Sequence, residues 1–559
     1  MRLTSWKNFL TASFLLALHT PSVRTAPTDI PSAASFYVHN LPDLHQDDTH
    51  PLHIYAGHLS ADPQASTLPD TTVSAHLYFV LIKARRTADR ERILFWFNGG
   101  PGCSSFDGLM MEVGPWRVDG EGGLRTIEGG WEEYTTIVYI DSRAGTGFSY
   151  TSTDRYVHEL GEASTQFVEF LHNFYRVFPE YQPMDTYIGG ESFAGQYIPY
   201  FGTSHHYATT DKHSQQDAAD AILSSSLGIN LRGAAIGNGW IDARRQYPAF
   251  LEYAIKHGIV EEGSEYYNKG KSAIETCENE LKKIEGEPVR VDICENIMGA
   301  VSAVRDREVN GQKVCLNVYD VRLDDIDPAC GMNWPPDLAN VTTYLRRPDV
   351  KSALNAQAKS EAWTECQNRI SRELWLHDSP SAITLMPRIL ETIEVLIFAG
   401  DQDYICNYVG QEAMIQAMTW NGETGLGQVE TQTWTVDDQP AGTWVSSRNL
   451  TYAKARSLPS LPLPHALTDS TGLQRLAHGR LRRPARLARH DPALHGHELL
   501  RDHGRLCAHP EQRRRRGQAR VRRHRARDAR RARQDARAKQ GDVGGCASFS
   551  CPFSFITLC

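Results

Sequence analysis

The chain has 559 residues, and 59 Lys and Arg against 67 Asp and Glu give a formal net charge of −8. An apolar content of 41% with 23% charged residues is ordinary for a globular protein. It excludes a wholly disordered chain and suits one large catalytic domain carrying an insert. The charge is uneven: Arg480 to Lys539 is packed with arginine, including Arg513 to Arg516, so the rest is strongly acidic.

In chain order, Arg2 and Lys7 precede an apolar run from Phe9 to Leu18 and small residues around Ala26. This is the pattern of a secretory signal peptide over residues 1–26, too short to span a membrane. Apolar, β-branched and aromatic runs then predict strands at His76–Ala84, Arg92–Asn98, Thr135–Asp141, Thr186–Gly189, Arg232–Asn238, Ile393–Gly400 and Arg448–Lys454. Several end in Gly, Asn or Asp, as buried parallel strands do where their carboxyl ends present loops to a ligand. Glu162–Pro179 has helical periodicity and a proline stop. The alternation predicts an α/β sheet with helices on both faces, over 27–454. Charged helical stretches over 241–344 read as an inserted cap. Beyond Lys454 the punctuation dissolves into Pro, Leu and Arg, which predicts a disordered tail over 455–559.

Eleven cysteines suit an oxidising compartment, and Cys277, Cys294, Cys315 and Cys330 cluster in the cap, where three pairings are open. Their spacing is unlike a zinc site. Asn340-Val-Thr342 and Asn449-Leu-Thr451 are glycosylation acceptor triplets.

Two motifs carry chemistry. Gly190-Glu-Ser192-Phe-Ala-Gly195 lies between a strand and a helical stretch, where a tight turn lifts the Ser192 hydroxyl clear of the sheet. Asn98-Gly-Gly-Pro-Gly-Cys-Ser-Ser105 ends an earlier strand, where backbone N–H groups can reach a developing oxyanion. A phosphate-cradling reading of that loop fails for want of a P-loop lysine.

Together with Gly400-Asp-Gln-Asp403-Tyr-Ile-Cys406-Asn, these motifs resemble the serine carboxypeptidase family, in the family's order, from about Asn40 to Tyr452. Within it the likeness is to the fungal pheromone-processing enzymes of the Golgi, which trim basic residues from precursors. The resemblance implies an α/β-hydrolase fold, with Ser192 as nucleophile, Asp403 as the acid orienting a histidine, and Gly100 and Phe193 as oxyanion donors. It implies a clamp for the substrate carboxylate made by Asn98, Gly99, Glu112 and Glu191, in which crowded acids share a proton and favour acidic pH. Asp107 would face the departing side chain and favour Lys or Arg. The family further implies disulfides Cys103–Cys366, Cys277–Cys330 and Cys294–Cys315, a free thiol at Cys406, and no cofactor or metal. One departure is Ser142-Arg143, where relatives carry an amide residue and proline.

The general base is missing. The family's histidine should follow the last strand in Asn-Ala-(Ser/Gly)-His-Met-Val-Pro, and neither His465 nor His478 has that setting. A shift of one nucleotide accounts for it. The second codon bases of Gln474, Arg475, Leu476, Ala477 and His478 are A, G, T, C and A, the first bases needed for Asn-Ala-Ser-His-Met. Gly479 to Arg486 then continue as Val-Ala-Tyr-Asp-Val-Pro-His-Val, and Asp535 to Gly544 as Thr-Pro-Glu-Gln-Ser-Lys-Glu-Met-Trp-Glu. Ala455 to about Gly472 thus reads as translated intron, and the arginine-rich text beyond as frameshifted, not as a nucleic-acid-binding arm. The expected function is release of C-terminal Lys or Arg from peptide or precursor C-termini in the secretory pathway, in the trans-Golgi network, vacuole or medium. A membrane anchor belongs only to the alternative frame. The rival readings are a catalytically inactive relative, a non-peptidase acyl hydrolase or acyltransferase, and a nucleic-acid binder.

Overall fold

The structure is a computed structural model. It describes residues 30–456 apart from 47–49, 64–73, 87–89, 121, 128, 153–154, 203–221, 223–226 and 437. The expected signal peptide, His465, His478 and the arginine-rich tail lie outside the described residues.

Ten strands make the central sheet: β1 (Ile54–Ser60), β2 (His76–Ile82), β3 (Arg92–Phe97), β4 (Thr136–Asp141), β5 (Asp185–Glu191), β6 (Asn230–Gly237), β7 (Glu394–Gly400), β8 (Gln432–Val436), β9 (Gln439–Ser447) and β10 (Leu450–Ala455). Their order is β1-β2-β4-β3-β5-β6-β7-β10-β9-β8. The run from β4 to β10 is parallel, with Leu94 opposite Ile137 and Tyr187, and Leu396 opposite Ala235 and Thr451. Antiparallel strands close both edges.

Apolar runs form these strands because both sheet faces are covered. On β3, Ile93, Phe95 and Phe97 enter one core with Phe167, Phe174 and Phe201, while Leu94 and Trp96 enter a second with Trp116, Trp131 and Trp363. The first core is roofed by α1 (Leu160–Val177) and α2 (Ala194–Gly202). A reciprocal capping box between Glu159 and Glu162 starts α1, and Pro179 follows its end. Layer order and strand order are those of an α/β-hydrolase.

The insert lies between β6 and β7. It holds α3 (Ala243–Lys256), α4 (Glu265–Leu281), α5 (Asp292–Ser302) and a small antiparallel sheet of Arg307–Val309, Gln312–Leu316 and Asp324–Ile326. That sheet was not legible in the sequence: its strands are short and largely exposed, so no apolar alternation marks them.

The cap disulfides correct the expected pairing. Cys277 bonds Cys294, and Cys315 bonds Cys330, in place of Cys277–Cys330 and Cys294–Cys315. The reason is local packing. Cys277 and Cys294 are buried where α4 lies against α5. Cys315 sits opposite Asp325, within the hairpin that leads directly to Cys330. Both bridges close short loops, of 17 and 15 residues.

Candidate active site

Ser192 occupies the turn between β5 and α2 with φ of +56°, a left-handed conformation that L-residues other than Gly, Asn and Asp seldom adopt. Its neighbours explain how the turn holds. A Cβ on Gly190 would lie 2.0 Å from the Phe97 carbonyl oxygen, and one on Gly195 would lie 2.7 Å from that of Trp240. Ser192 N–H donates to Gly237 O at 3.0 Å, and Trp240 N–H donates to Ser192 O at 2.8 Å. The serine thus stands at the carboxyl ends of β5 and β6 on a turn pinned from both sides.

The glycine-rich loop after β3 closes against this turn. A Cβ on Gly99 would lie 2.5 Å from Phe193 N and 2.8 Å from Ser192 Cβ, so only glycine lets the backbone come this close. Gly100, at φ +105°, continues the bend. Cys103 bonds Cys366, and on either side of the bridge Ser104 N–H donates to Glu365 O at 2.8 Å and Gln367 N–H to Gly102 O at 2.9 Å.

Asp403 lies on the loop after β7. Its Oδ2 accepts from Asn238 Nδ2 at 2.7 Å and from Cys406 N–H at 3.1 Å. Its Oδ1 is buried and has no hydrogen-bond partner among the described residues. Burial pushes this carboxyl up to about 7, against the pull of Asn238 and the loop amides. Among the described residues Cys406 is the free cysteine; its thiol is buried, and its sulfur hydrogen-bonds with Ser192. Burial pushes that thiol well above its ordinary range.

A second group sits one residue upstream of Ser192. Glu191 Oε1 accepts from Asn98 Nδ2 at 2.9 Å, while Asn98 Oδ1 accepts from Trp96 Nε1 at 2.9 Å and Gly108 N–H at 3.1 Å. Those two donors fix the orientation of the Asn98 amide. Glu112 hydrogen-bonds Glu191, and burial raises both carboxyls, reinforced at Glu191 by the charge of Glu112 and at Glu112 by that of Asp107. Two buried acids in contact cannot both ionise, so the pair retains a proton.

Asp107 is 7% exposed, and its Oδ1 has no hydrogen-bond partner among the described residues. Burial raises its carboxyl, followed by the charges of Glu365, Glu191 and Asp141. Glu365 and Tyr319, which the sequence did not single out, join the site here. Tyr319 stands among the charges of Asp403, Cys406, Glu365 and Glu191. Its cap segment is clasped to the acid's loop by Tyr404 and Ile405 N–H groups on Val318 O. Asn238, also missed, was marked only by following β6 between two glycines, whereas Glu365 was marked by adjoining Cys366.

The departure at Ser142-Arg143 becomes a buried staple. Arg143 is 1% exposed and donates to Val157 O and Ile370 O, each at 3.1 Å. Of the two glycosylation triplets, Asn340 is half-buried on the helix Leu338–Leu345, and Asn449 is exposed in a turn but spends an amide hydrogen on Leu390 O at 2.9 Å.

Residues 42–457 match the family model described as serine carboxypeptidase. The pheromone-processing carboxypeptidase KEX1 of Coprinopsis cinerea is 52% identical over 474 residues, covering 83% of this chain and 73% of that protein. The protein of the same name from Cryptococcus gattii is 43% identical, covering 79% of this chain and 68% of its own length. Among solved structures, a prohormone-processing carboxypeptidase from Saccharomyces cerevisiae, Kex1(delta)p, superposes with a TM-score of 0.68 at 29% identity. The match covers 76% of this chain and 92% of that one.

Proposed function

The chain belongs to the serine carboxypeptidase family, and from that premise we propose that its site releases C-terminal residues, Lys and Arg foremost, from peptides and protein precursors through an acyl-enzyme on Ser192. The observation that carries this reading is the contact of Glu191 with Asn98 and Glu112 immediately before Ser192. A proton-bearing carboxyl pair beside the nucleophile suits a substrate with a free carboxylate at its cleavage point, which is what separates an exopeptidase from a general acyl hydrolase.

In the proposed reaction the substrate carboxylate binds Asn98, Gly99 N–H, Glu112 and Glu191. Ser192 Oγ attacks the scissile carbonyl and gives its proton to a histidine, and the oxyanion takes hydrogen bonds from Phe193 N–H and Gly100 N–H. The departing amine takes that proton, and water then hydrolyses the acyl-serine. Asp403 Oδ1 is the acceptor suited to the imidazole N–H. That histidine is the one member the chain does not supply in the family's setting, so the proposal includes a correctly spliced message in which it is restored, and residues 455–559 as read-through and frameshift. The alternative favoured by the unpartnered Oδ1 is that the chain as translated binds carboxyl-terminal peptides without cleaving them.

Three disulfides and the pheromone-processing relatives support residence in the secretory pathway, in the Golgi or beyond. Among the described residues no helix is long and apolar enough to cross a membrane. The test is to sequence the spliced transcript and assay its product on a peptide ending in arginine and on the amide of that peptide. Release of arginine from the free acid alone is expected. Equal turnover of the amide contradicts the clamp, and a transcript colinear with residues 455–559 contradicts the frameshift.

A further inference from the structure

We propose that Arg143 is a positioning residue for the glycine-rich loop, holding Gly100 where its N–H can serve the oxyanion. This deepens the proposed function and rests on its assignment of Ser192 and Gly100.

The glycine-rich loop is gripped from two sides by the end of β4 and the segment after it. On one side Asp141 accepts from the Ser104 hydroxyl at 2.6 Å and from Ser105 N–H at 3.0 Å. On the other, the short helix Asn368–Glu373 backs Gly102. A Cβ on Gly102 would lie 3.3 Å from both Gln367 O and Ser371 N, and Gln367 N–H donates to Gly102 O at 2.9 Å. Ile370 of that helix also presses on Gly145, where a Cβ would meet its Cδ1 at 2.4 Å. Arg143 fastens this helix. One arm of its guanidinium donates to Ile370 O and the other to Val157 O, just ahead of α1, each at 3.1 Å. The guanidinium also adjoins the Tyr197 hydroxyl, which lies beside the Gly102 backbone, and the Tyr197 ring meets that of Phe193 edge-on at 5.3 Å.

At 1% exposed, Arg143 is too deep to touch substrate, so it acts through the helix. Its two acceptors are backbone carbonyls on separate segments. A planar guanidinium fork spans two such acceptors at once, which an ammonium on a flexible stem does not do with the same geometry. An apolar side chain would fill the same space without the desolvation cost of a buried guanidinium. What the guanidinium adds is direction. The Cys103–Cys366 bridge fixes the start of the backing segment but not the helix that follows it. Without Arg143 that helix is free to draw back from Gly102, and the loop between Gly99 and Ser105 loosens on the side that faces Ser192. Misplacement by about 1 Å costs up to about a hundredfold in rate, so the loss falls on the chemical step.

The experiment reads that step in the full chain, with free imidazole as the base and an uncharged phosphonate ester, which has no carboxylate for the clamp, as the probe. Saturation kinetics by intact mass separate binding of the probe from its maximal rate of labelling. Arg143→Met should lower the maximal rate about tenfold and leave the probe's binding within about twofold, while Arg143→Lys recovers part of the loss. Hydrogen exchange in Arg143→Lys should quicken over residues 99–105 and 368–373 and stay unchanged on β7. A maximal rate in Arg143→Met within about twofold of the parent overturns the role of Arg143 and leaves Ser192 standing as nucleophile. Equal losses in Arg143→Lys and Arg143→Met assign the effect to packing and overturn it as well. Should Arg143→Met fail to fold, unchanged exchange over 99–105 in Arg143→Lys does the same. Failure of the parent to label at Ser192 instead overturns the reading on which the inference rests.

Discussion

Asn238 holds Asp403 by one oxygen and leaves the other bare: Nδ2 donates to Oδ2 at 2.7 Å, while the buried Oδ1 accepts nothing among the described residues. An acid fixed this way is oriented toward a donor. Free imidazole should accelerate phosphonylation of Ser192 in this chain. Asp403→Asn should remove most of that acceleration, and Asn238→Ala should weaken it, as followed by intact mass over time.

The proposed clamp makes binding of free-acid peptides an acid-side property. Both carboxyls are raised, Glu112 to about 7 and Glu191 well above its ordinary range, so the pair gives up its first proton, and gains charge against a carboxylate, as pH rises through about 7. A peptide carboxylate, ionised above about pH 4, should bind best between about 4 and 7 and weaken as pH rises through about 7. Glu112→Gln should cost about tenfold or more in affinity for the acid and nothing for the amide, by calorimetry.

The same burial predicts the stability profile. Asp403, Glu112 and Glu132 rise to about 7 and Asp141 to about 6 in the fold. Groups raised on folding give stability that is complete below their unfolded values near 4 and is lost as pH climbs through the folded ones. His58 moves the other way, down to about 4, with burial also lowering His76, so their contribution is lost as pH falls below about 6.5. Thermal melts should peak in mild acid and fall off on both sides, and His58→Gln should flatten the acid limb.

Gly190 has no room for a methyl group, because a Cβ would meet Phe97 O at 2.0 Å and Ala194 Cβ at 2.9 Å. Gly190→Ala should cost about 1–3 kcal/mol in urea unfolding and slow phosphonate labelling, since strand, turn and helix must separate to admit it.

What the sequence made legible was local. The apolar strands, the turn at Ser192, the loop from Asn98 to Ser105 and the Asp403 loop each occupy one short stretch and were read from it, and the family resemblance supplied their order. The misreading of Cys277 and Cys315 arose because pairing depends on how α4 meets α5 and where a short hairpin folds, which four spacings do not encode. Asn238 was missed because it acts across the fold, on Asp403 at a separation of 165 residues. The β8–β9 hairpin escaped because its exposed polar residues dilute the apolar pattern.

The Cys103–Cys366 bridge gives a further expectation. Cys366→Ser releases the loop carrying Gly99, Gly100 and Asp107 from the segment carrying Glu365. It should lower stability by about 2–5 kcal/mol, read by urea unfolding, and slow phosphonate labelling of Ser192.

The central claim is that Ser192 is the nucleophile of a site that reads a free C-terminus. Its most direct measurement is labelling of the intact chain by a peptidyl phosphonate in the presence of imidazole, mapped by peptide mass, with a free-acid peptide or its amide as competitor. The account predicts a single adduct on Ser192, lost in Ser192→Ala, with protection by the acid and not by the amide. Labelling at another residue, or equal protection by acid and amide, would contradict it.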